Sequence, residues 1–182
     1  MPPVMVSKRY GGWSVTSSDG MYNDGWLHRS KELVVDPKMS VEDYREYSQT
    51  VGLRRPLIEY TKPTEVCTPY LQFLLDEWKA AGLFPLRVRI ALMKSGHSIP
   101  WHQDAPEAVY STRLHAAIET NPACVLESKT SQVHMPADGS VWFVRVNQIH
   151  RARNDGDSDR IHLIANIFDS KGLSQTMKYD HK

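Results

Sequence analysis

From Leu86 onward the chain alternates with period two: Leu86, Val88, Ile90 and Leu92 share one face, and Arg87, Arg89, Ala91 and Met93 share the other. That is the repeat of a half-buried strand, whose successive side chains point to opposite sides, and it argues against a helix over this stretch. Further strands are expected over 113–119, 123–127, 132–135, 141–146 and 160–168. Asp138-Gly139 marks a turn, and residues 154–159 read as a polar loop joining two strands. Six or so short strands with small turns point to an antiparallel barrel or jelly roll.

Before residue 85 helix signals dominate. Ser40 can cap a helix over 41–50, with Asp43 placed like the acidic partner of a capping box. Thr68 with Pro69 starts a second helix, the proline sitting where its missing N–H costs nothing. Leu71, Leu74, Leu75, Trp78 and Ala81 fall on one face of it, and Gly82 is a natural stop. Residues 11–30, with Gly11-Gly12-Trp13 and Gly25-Trp26, supply an edge strand or cover the barrel. The expected organisation is one domain over 1–182. It has a mainly helical N-terminal elaboration over 1–85, a β core over 86–168 and a polar tail over 169–182.

Charge narrows the partners. With 22 Lys+Arg against 21 Asp+Glu the net charge is +1, so there is no electrostatic case for nucleic acid or a membrane surface. No apolar run approaches the roughly 18–20 residues of a membrane span, and Met1 to Tyr10 lack the apolar core of a signal peptide. Cys67 and Cys124 have no CxxC spacing, which leaves no thiolate zinc site or disulfide framework. Both are expected as buried thiols in a reducing compartment, and the protein is expected to be cytoplasmic.

The candidate chemistry lies in His102, Asp104 and His150. Residues 102 and 104 are two apart, so in extended chain both side chains reach the same face. His150 follows the strand at 141–146, and a barrel can bring it opposite that pair. Two imidazoles and one carboxylate form a facial triad that suits Fe(II) and leaves one side of the metal open. A His-x-Asp pair alone is a weak signal, because these residues also make ordinary surface and turn hydrogen bonds. His97 lies close by, in the turn expected at 95–100. His28 and His181 are expected in solvent, and His134 on a sheet face.

Arg160 strengthens the reading. It opens a strand, Arg160-Ile161-His162-Leu163-Ile164, ten residues after His150. Arg113 and His115 make a second Arg-x-His pair on one face of another strand. Guanidinium groups inside a barrel are costly unless an anion is present, and arginine's planar fork suits a carboxylate. The bland alternative pairs these arginines with Asp155, Asp157, Asp159 or Glu119. For Arg113 the two readings are evenly matched. For Arg160 its register to His150 favours a ligand.

Two blocks of sequence resemble the aspartyl/asparaginyl β-hydroxylase family. The first holds Gly96, Pro100-Trp101-His102-Gln103-Asp104, Arg113-Leu114-His115 and Thr120-Asn121-Pro122. The second holds Gly139-Ser140-Val141-Trp142, His150, Asn154-Asp155-Gly156 and the Arg160–Ile164 strand. The resemblance spans roughly residues 86–168 and is much weaker over 1–85. It implies a double-stranded β-helix (cupin-like) core and a non-haem Fe(II)- and 2-oxoglutarate-dependent dioxygenase. His102, Asp104 and His150 would then be the iron ligands. Arg160 would bind the distal carboxylate of 2-oxoglutarate, and Arg113 and His115 would line the co-substrate pocket. The animal enzymes that name the family lack the carboxylate ligand. Asp104 makes this chain more similar to the bacterial members, which include hydroxylases of free proline.

The function expected on this basis is hydroxylation of an amino acid or amino-acyl residue, small-molecule or peptidyl, with O₂ consumed and succinate and CO₂ released. Trp101 and residues 98–100 flank the metal position and are candidate substrate neighbours, with ordinary packing the alternative for Trp101. Arg151 and Arg153 could meet an acidic substrate or simply be solvated. Two rivals stay open. One is a metal-binding cupin-type isomerase or small-acid-binding module, for which Arg160 has no role. The other is an interaction domain whose histidines are structural.

Overall fold

The computed structural model describes residues 1–24, 60–104, 112–146 and 148–169. Twelve strands and one helix are found among them: β1 (Val4–Ser7), β2 (Tyr10–Ser14), β3 (Thr16–Ser17), β4 (Lys62–Pro63), α1 (Pro69–Ala80), β5 (Leu83–Met93), β6 (His97–His102), β7 (Thr112–Glu119), β8 (Cys124–Ser128), β9 (Gln132–Val133), β10 (Val141–Arg145), β11 (His150–Asn154) and β12 (Arg160–Asp169). The helix expected over 41–50, Trp26, His28, His181 and the tail from residue 170 lie outside the described residues.

Two antiparallel sheets carry the fold, one of six strands in the order β1-β2-β5-β12-β7-β10 and one of four in the order β6-β11-β8-β9. A cluster drawn from both, with Ala91, Met93 and Ile164 from one sheet and Ala152, Ile99 and Leu126 from the other, packs them face to face. A second cluster, with Val144 and Trp142 against Leu126, Val133 and Met135, continues the contact toward β10. This is the mainly β, double-stranded β-helix architecture. Among the described residues the sheets do not close into a barrel, because β1 and β10 are left as separate edges of the larger sheet.

Helix α1 covers the outer face of that sheet. Thr68 accepts the Leu71 N–H at 3.3 Å, and Pro69 follows in the first turn. At the other end the Ala81 and Gly82 N–H groups donate to Glu77 and Lys79 carbonyls, with Gly82 at φ 90°. Leu71, Leu74, Leu75 and Trp78 pack against Val88, Leu114, Leu163, Ala165 and Ile167. Burying Leu75 and Trp78 contributes roughly 2–3 kcal/mol each. Ala81, expected on the same face, is exposed.

Four expectations need correction. The strand expected within residues 11–30 is present as β2, but it is not at the edge: β1 pairs outside it, and the two extend the six-stranded sheet beyond β5, ahead of the core expected at 86–168. Gly11 permits this, since a Cβ there would meet the Val4 carbonyl oxygen at 2.2 Å. The first strand of the core proper starts at Leu83 rather than Leu86. The segment expected as a turn at 95–100 is mostly strand β6, because the turn is tighter: the His97 N–H already returns to the Lys94 carbonyl, with Gly96 at φ 68°. Pro100 is tolerated there because β6 is an edge strand. Finally, residues 150–154, for which no strand was expected, form strand β11, which His150 opens. Strand β11 buries His150, Ala152 and Asn154 in alternation, a pattern with no large apolar residue to betray it.

Candidate metal centre

The pairing of β6 with β11 sets His102 directly across from His150. Their rings lie with centroids 4.3 Å apart, tilted by 52°. Each imidazole is oriented by a local bond, His102 Nδ1 to the Pro100 carbonyl at 2.8 Å and His150 Nδ1 to the Gln148 carbonyl at 2.7 Å. An Nδ1–H donated in this way leaves the Nε2 lone pair free to accept a proton or a metal. Asp104 follows two residues after His102, tethered by its N–H to the Val146 carbonyl at 2.9 Å. Its Oδ1 lies 3.4 Å from His102 Nε2. Ligand atoms of His102, Asp104 and His150 all fall within 4.8 Å of one another, the only such three-residue group among the described residues.

The electrostatics favour ligation. Burial opposes ionisation of Asp104, but the Arg113 guanidinium, with His102 and His150, outweighs it and holds the carboxyl well below the usual range. Burial pulls the His150 pKa down; Asp104 opposes this and His102 adds to it. An ionised carboxylate beside a neutral imidazole is the protonation state a divalent cation requires.

Arg113 sits 2.5 Å from Asp104 Oδ2 and donates through Nε to Asn166 Oδ1 at 2.7 Å. Its partner is therefore Asp104, none of the carboxylates weighed for it. Arg153 and Lys94 take Asp155 and Asp159 instead. His115 is buried on the same face of β7, with Nδ1 lacking a partner. It stands in an edge-to-face contact with His162, centroids 5.8 Å apart. Arg160 is 6% exposed; among the described residues its Nε has no hydrogen-bond partner, and Nη1 reaches only the Met93 sulfur at 3.9 Å. Arg160, His115 and His162 line one cavity between the sheets, whose other walls are Cys124, Leu126 and Met135.

Trp101 and Arg151 are placed elsewhere. Each precedes or follows a triad histidine by one residue in a strand, so each points to the opposite face. There Arg151 stacks 4.8 Å over the Trp101 ring and pairs with Glu127, which also holds Arg153. The same alternation that aims His102 and His150 inward aims these side chains outward, away from the triad.

Polar loops brace the site from behind. Asn121 Nδ2 donates to Asn154 Oδ1 and the Ser158 carbonyl, both at 3.1 Å, while Asn154 Nδ2 donates to Ser158 and Met93 carbonyls. Ser95 Oγ donates to the Gly156 carbonyl at 2.6 Å. One residue of the site, Asn166, was not singled out from the sequence, whereas His162 was already named as the partner of Arg160 in an Arg-x-His pair. The signal for Asn166 was register alone: it is on the Arg160 face of β12.

The family model of aspartyl/asparaginyl beta-hydroxylases matches residues 38–169. Similar solved structures include an oxidoreductase of the 2OG-Fe(II) oxygenase family from Burkholderia pseudomallei, at 19% identity over 59% of this chain and 60% of that one, TM-score 0.45. A cupin domain from Bordetella pertussis Tohama I is 17% identical over 44% and 80% of the two chains, TM-score 0.35. A double-stranded beta-helix protein from Klebsiella pneumoniae is 17% identical over 46% and 67%, TM-score 0.34. No curated protein matches the chain. No described helix is long and apolar enough to cross a membrane. The match runs through every residue of the triad and its arginines and covers well over half the sequence: this chain belongs to the aspartyl/asparaginyl beta-hydroxylase family.

Proposed function

We propose that the protein is an Fe(II)- and 2-oxoglutarate-dependent dioxygenase that hydroxylates an amino acid or amino-acyl residue. The observation that carries this reading is the buried Arg160 guanidinium, without a carboxylate partner among the described residues, in a cavity beside a two-histidine, one-carboxylate set. A buried cation without a counter-ion is strongly unfavourable. A dicarboxylic co-substrate supplies that counter-ion, which a simple metal cupin does not need.

The donor set fits a hard-to-borderline divalent metal that keeps open positions: His102 Nε2, His150 Nε2 and Asp104 Oδ1 would hold it. When bound, Fe(II) with 2-oxoglutarate and O₂ supplies the oxidising chemistry, with succinate and CO₂ as co-products. The protein's own part is orientation and protonation. Pro100 and Gln148 carbonyls aim the imidazoles, and Arg113 keeps Asp104 ionised while occupying its other oxygen. Arg160 fixes the far carboxylate of the co-substrate, and the apolar walls at Leu126 and Met135 exclude water around it. Arg113 is thereby a support for Asp104 first, whatever it adds to the pocket.

Anaerobic addition of Fe(II) and 2-oxoglutarate should produce the visible charge-transfer band of a chelated keto acid, and oxygen should then yield succinate. His102→Ala should abolish both. Wild-type protein giving neither band nor succinate would sink the proposal.

A further inference from the structure

The cavity holding Arg160 has more polar capacity than one arginine explains. His162, two residues along the same face of β12, is 4% exposed, and neither of its ring nitrogens has a hydrogen-bond partner among the described residues. Buried polar atoms are nearly always paired, so two idle nitrogens on one imidazole call for a missing partner. Two other polar groups around the cavity are already committed. The Cys124 thiol donates to Asn154 Oδ1 at 3.1 Å, and His134 Nδ1 is bonded to the Cys124 carbonyl at 3.0 Å. The remaining walls, at Val125, Leu126, Val133 and Met135, are apolar.

Position along the cleft separates His162 from His115. On β7, His115 lies two residues from Arg113, which holds Asp104, and is paired across from Ile164, so it stands between the triad and the Arg160 end of β12. His162 is paired across from Ala117, one step further from Arg113 and two residues from Arg160. It therefore lies at the Arg160 end. Burial and the Arg160 charge keep its ring neutral, and a neutral imidazole offers one N–H donor and one acceptor.

Resting on the dioxygenase reading above, we infer that His162 is a second recognition residue for the distal carboxylate of the co-substrate, donating beside Arg160 and enforcing a requirement for an anionic far end. Side chains two apart on a strand are about 6.6 Å apart at their roots, close enough to converge on one carboxylate. A neutral donor adds a hydrogen bond without adding a second buried charge, so one carboxylate balances the cavity.

The test is calorimetric binding to the full chain loaded with Mn(II), which needs no turnover. The probes are 2-oxoglutarate and 2-oxobutyrate, which share the keto-acid head and differ in the distal carboxylate. His162→Phe should weaken 2-oxoglutarate about 10- to 150-fold, the range for one hydrogen bond to a charged group, and leave 2-oxobutyrate unchanged. His162→Gln, which keeps a donor, should recover most of the loss. His162→Phe binding 2-oxoglutarate as the wild type does, while Arg160→Met loses it, overturns the role of His162 and leaves the dioxygenase reading standing. Wild-type protein that does not separate the two probes overturns the dicarboxylate pocket itself. Should His162→Phe fail to fold, the ring ¹⁵N shifts of His162 in the unsubstituted protein decide: they must move with 2-oxoglutarate and stay with 2-oxobutyrate.

Discussion

Replacing Arg160 by methionine should make the ligand-free protein more stable and shrink the stabilisation that the ligand adds. The guanidinium is buried, with only the Met93 sulfur within reach of Nη1. Methionine keeps the volume of the aliphatic stem and removes the charge. Replacing buried ionic groups by apolar ones of similar shape is often stabilising by about 1–4 kcal/mol. Taking about 2 kcal/mol, and about 2–4 °C per kcal/mol for a chain of this length, the midpoint should rise about 4–8 °C. The ligand works in the other direction. At a hundred times its dissociation constant, 2-oxoglutarate with Mn(II) should stabilise the wild type by about 2.7 kcal/mol. Losing the buried charge pair costs roughly 2–5 kcal/mol of binding, which shrinks that ligand effect to under about 1 kcal/mol at the same concentration. Differential scanning calorimetry reads both numbers in one series. An Arg160→Met protein that melts lower without ligand, or that shifts as far with it, would show that the guanidinium is satisfied within the protein and does not await an anion.

Acid should destabilise the metal-free protein early. His115, His150 and His162 all have lowered pKa values, each first through burial, with Arg160 adding for His115 and His162. The unfolded chain therefore takes up protons first. Stability is full above about pH 6.5 and falls beneath it by up to about 1.4 kcal/mol per pH unit per histidine, or about 4 for the three; urea titrations between pH 7.5 and 5 would check it. Asp104 acts in a lower window, since its depressed pKa yields stability that is lost only as pH falls below the ordinary carboxylate value. Thr68→Ala removes the cap of α1 and should cost about 1 kcal/mol in denaturant unfolding without changing metal affinity. Gly156→Ala would place a Cβ 2.1 Å from Asn121 Oδ1. It should cost about 1–3 kcal/mol by overpacking, read from the same denaturant curves.

Strands were legible where large apolar residues alternate, as in β5, β7, β10 and β12, because burial of those side chains is what the alternation records. Strands β6 and β11 carry the metal candidates and were read as turn and loop. Strand β11 buries His150, Ala152 and Asn154, and the edge strand β6, with Pro100, buries no residue fully, so polar or small inward residues leave no hydrophobic period. The N-terminal strand pair was obscured by glycines that serve close backbone approach rather than burial.

The order of residues specifies which side chains are available to a metal and to an anion, and the strand period that could present them. Spacing named His102, Asp104, His150 and Arg160, since side chains on one strand face are set by local geometry. Partners across strands came from the packing of the sheets. The β6–β11 register put the two imidazoles opposite one another, and the sheet packing gave Arg113 to Asp104 while leaving Arg160 without a carboxylate among the described residues. It also turned Trp101 and Arg151 outward and brought His162 into the Arg160 cavity. The reason is physical: period two tells which side chains share a face, but which face is buried, and against what, is set by contacts between residues far apart in the chain.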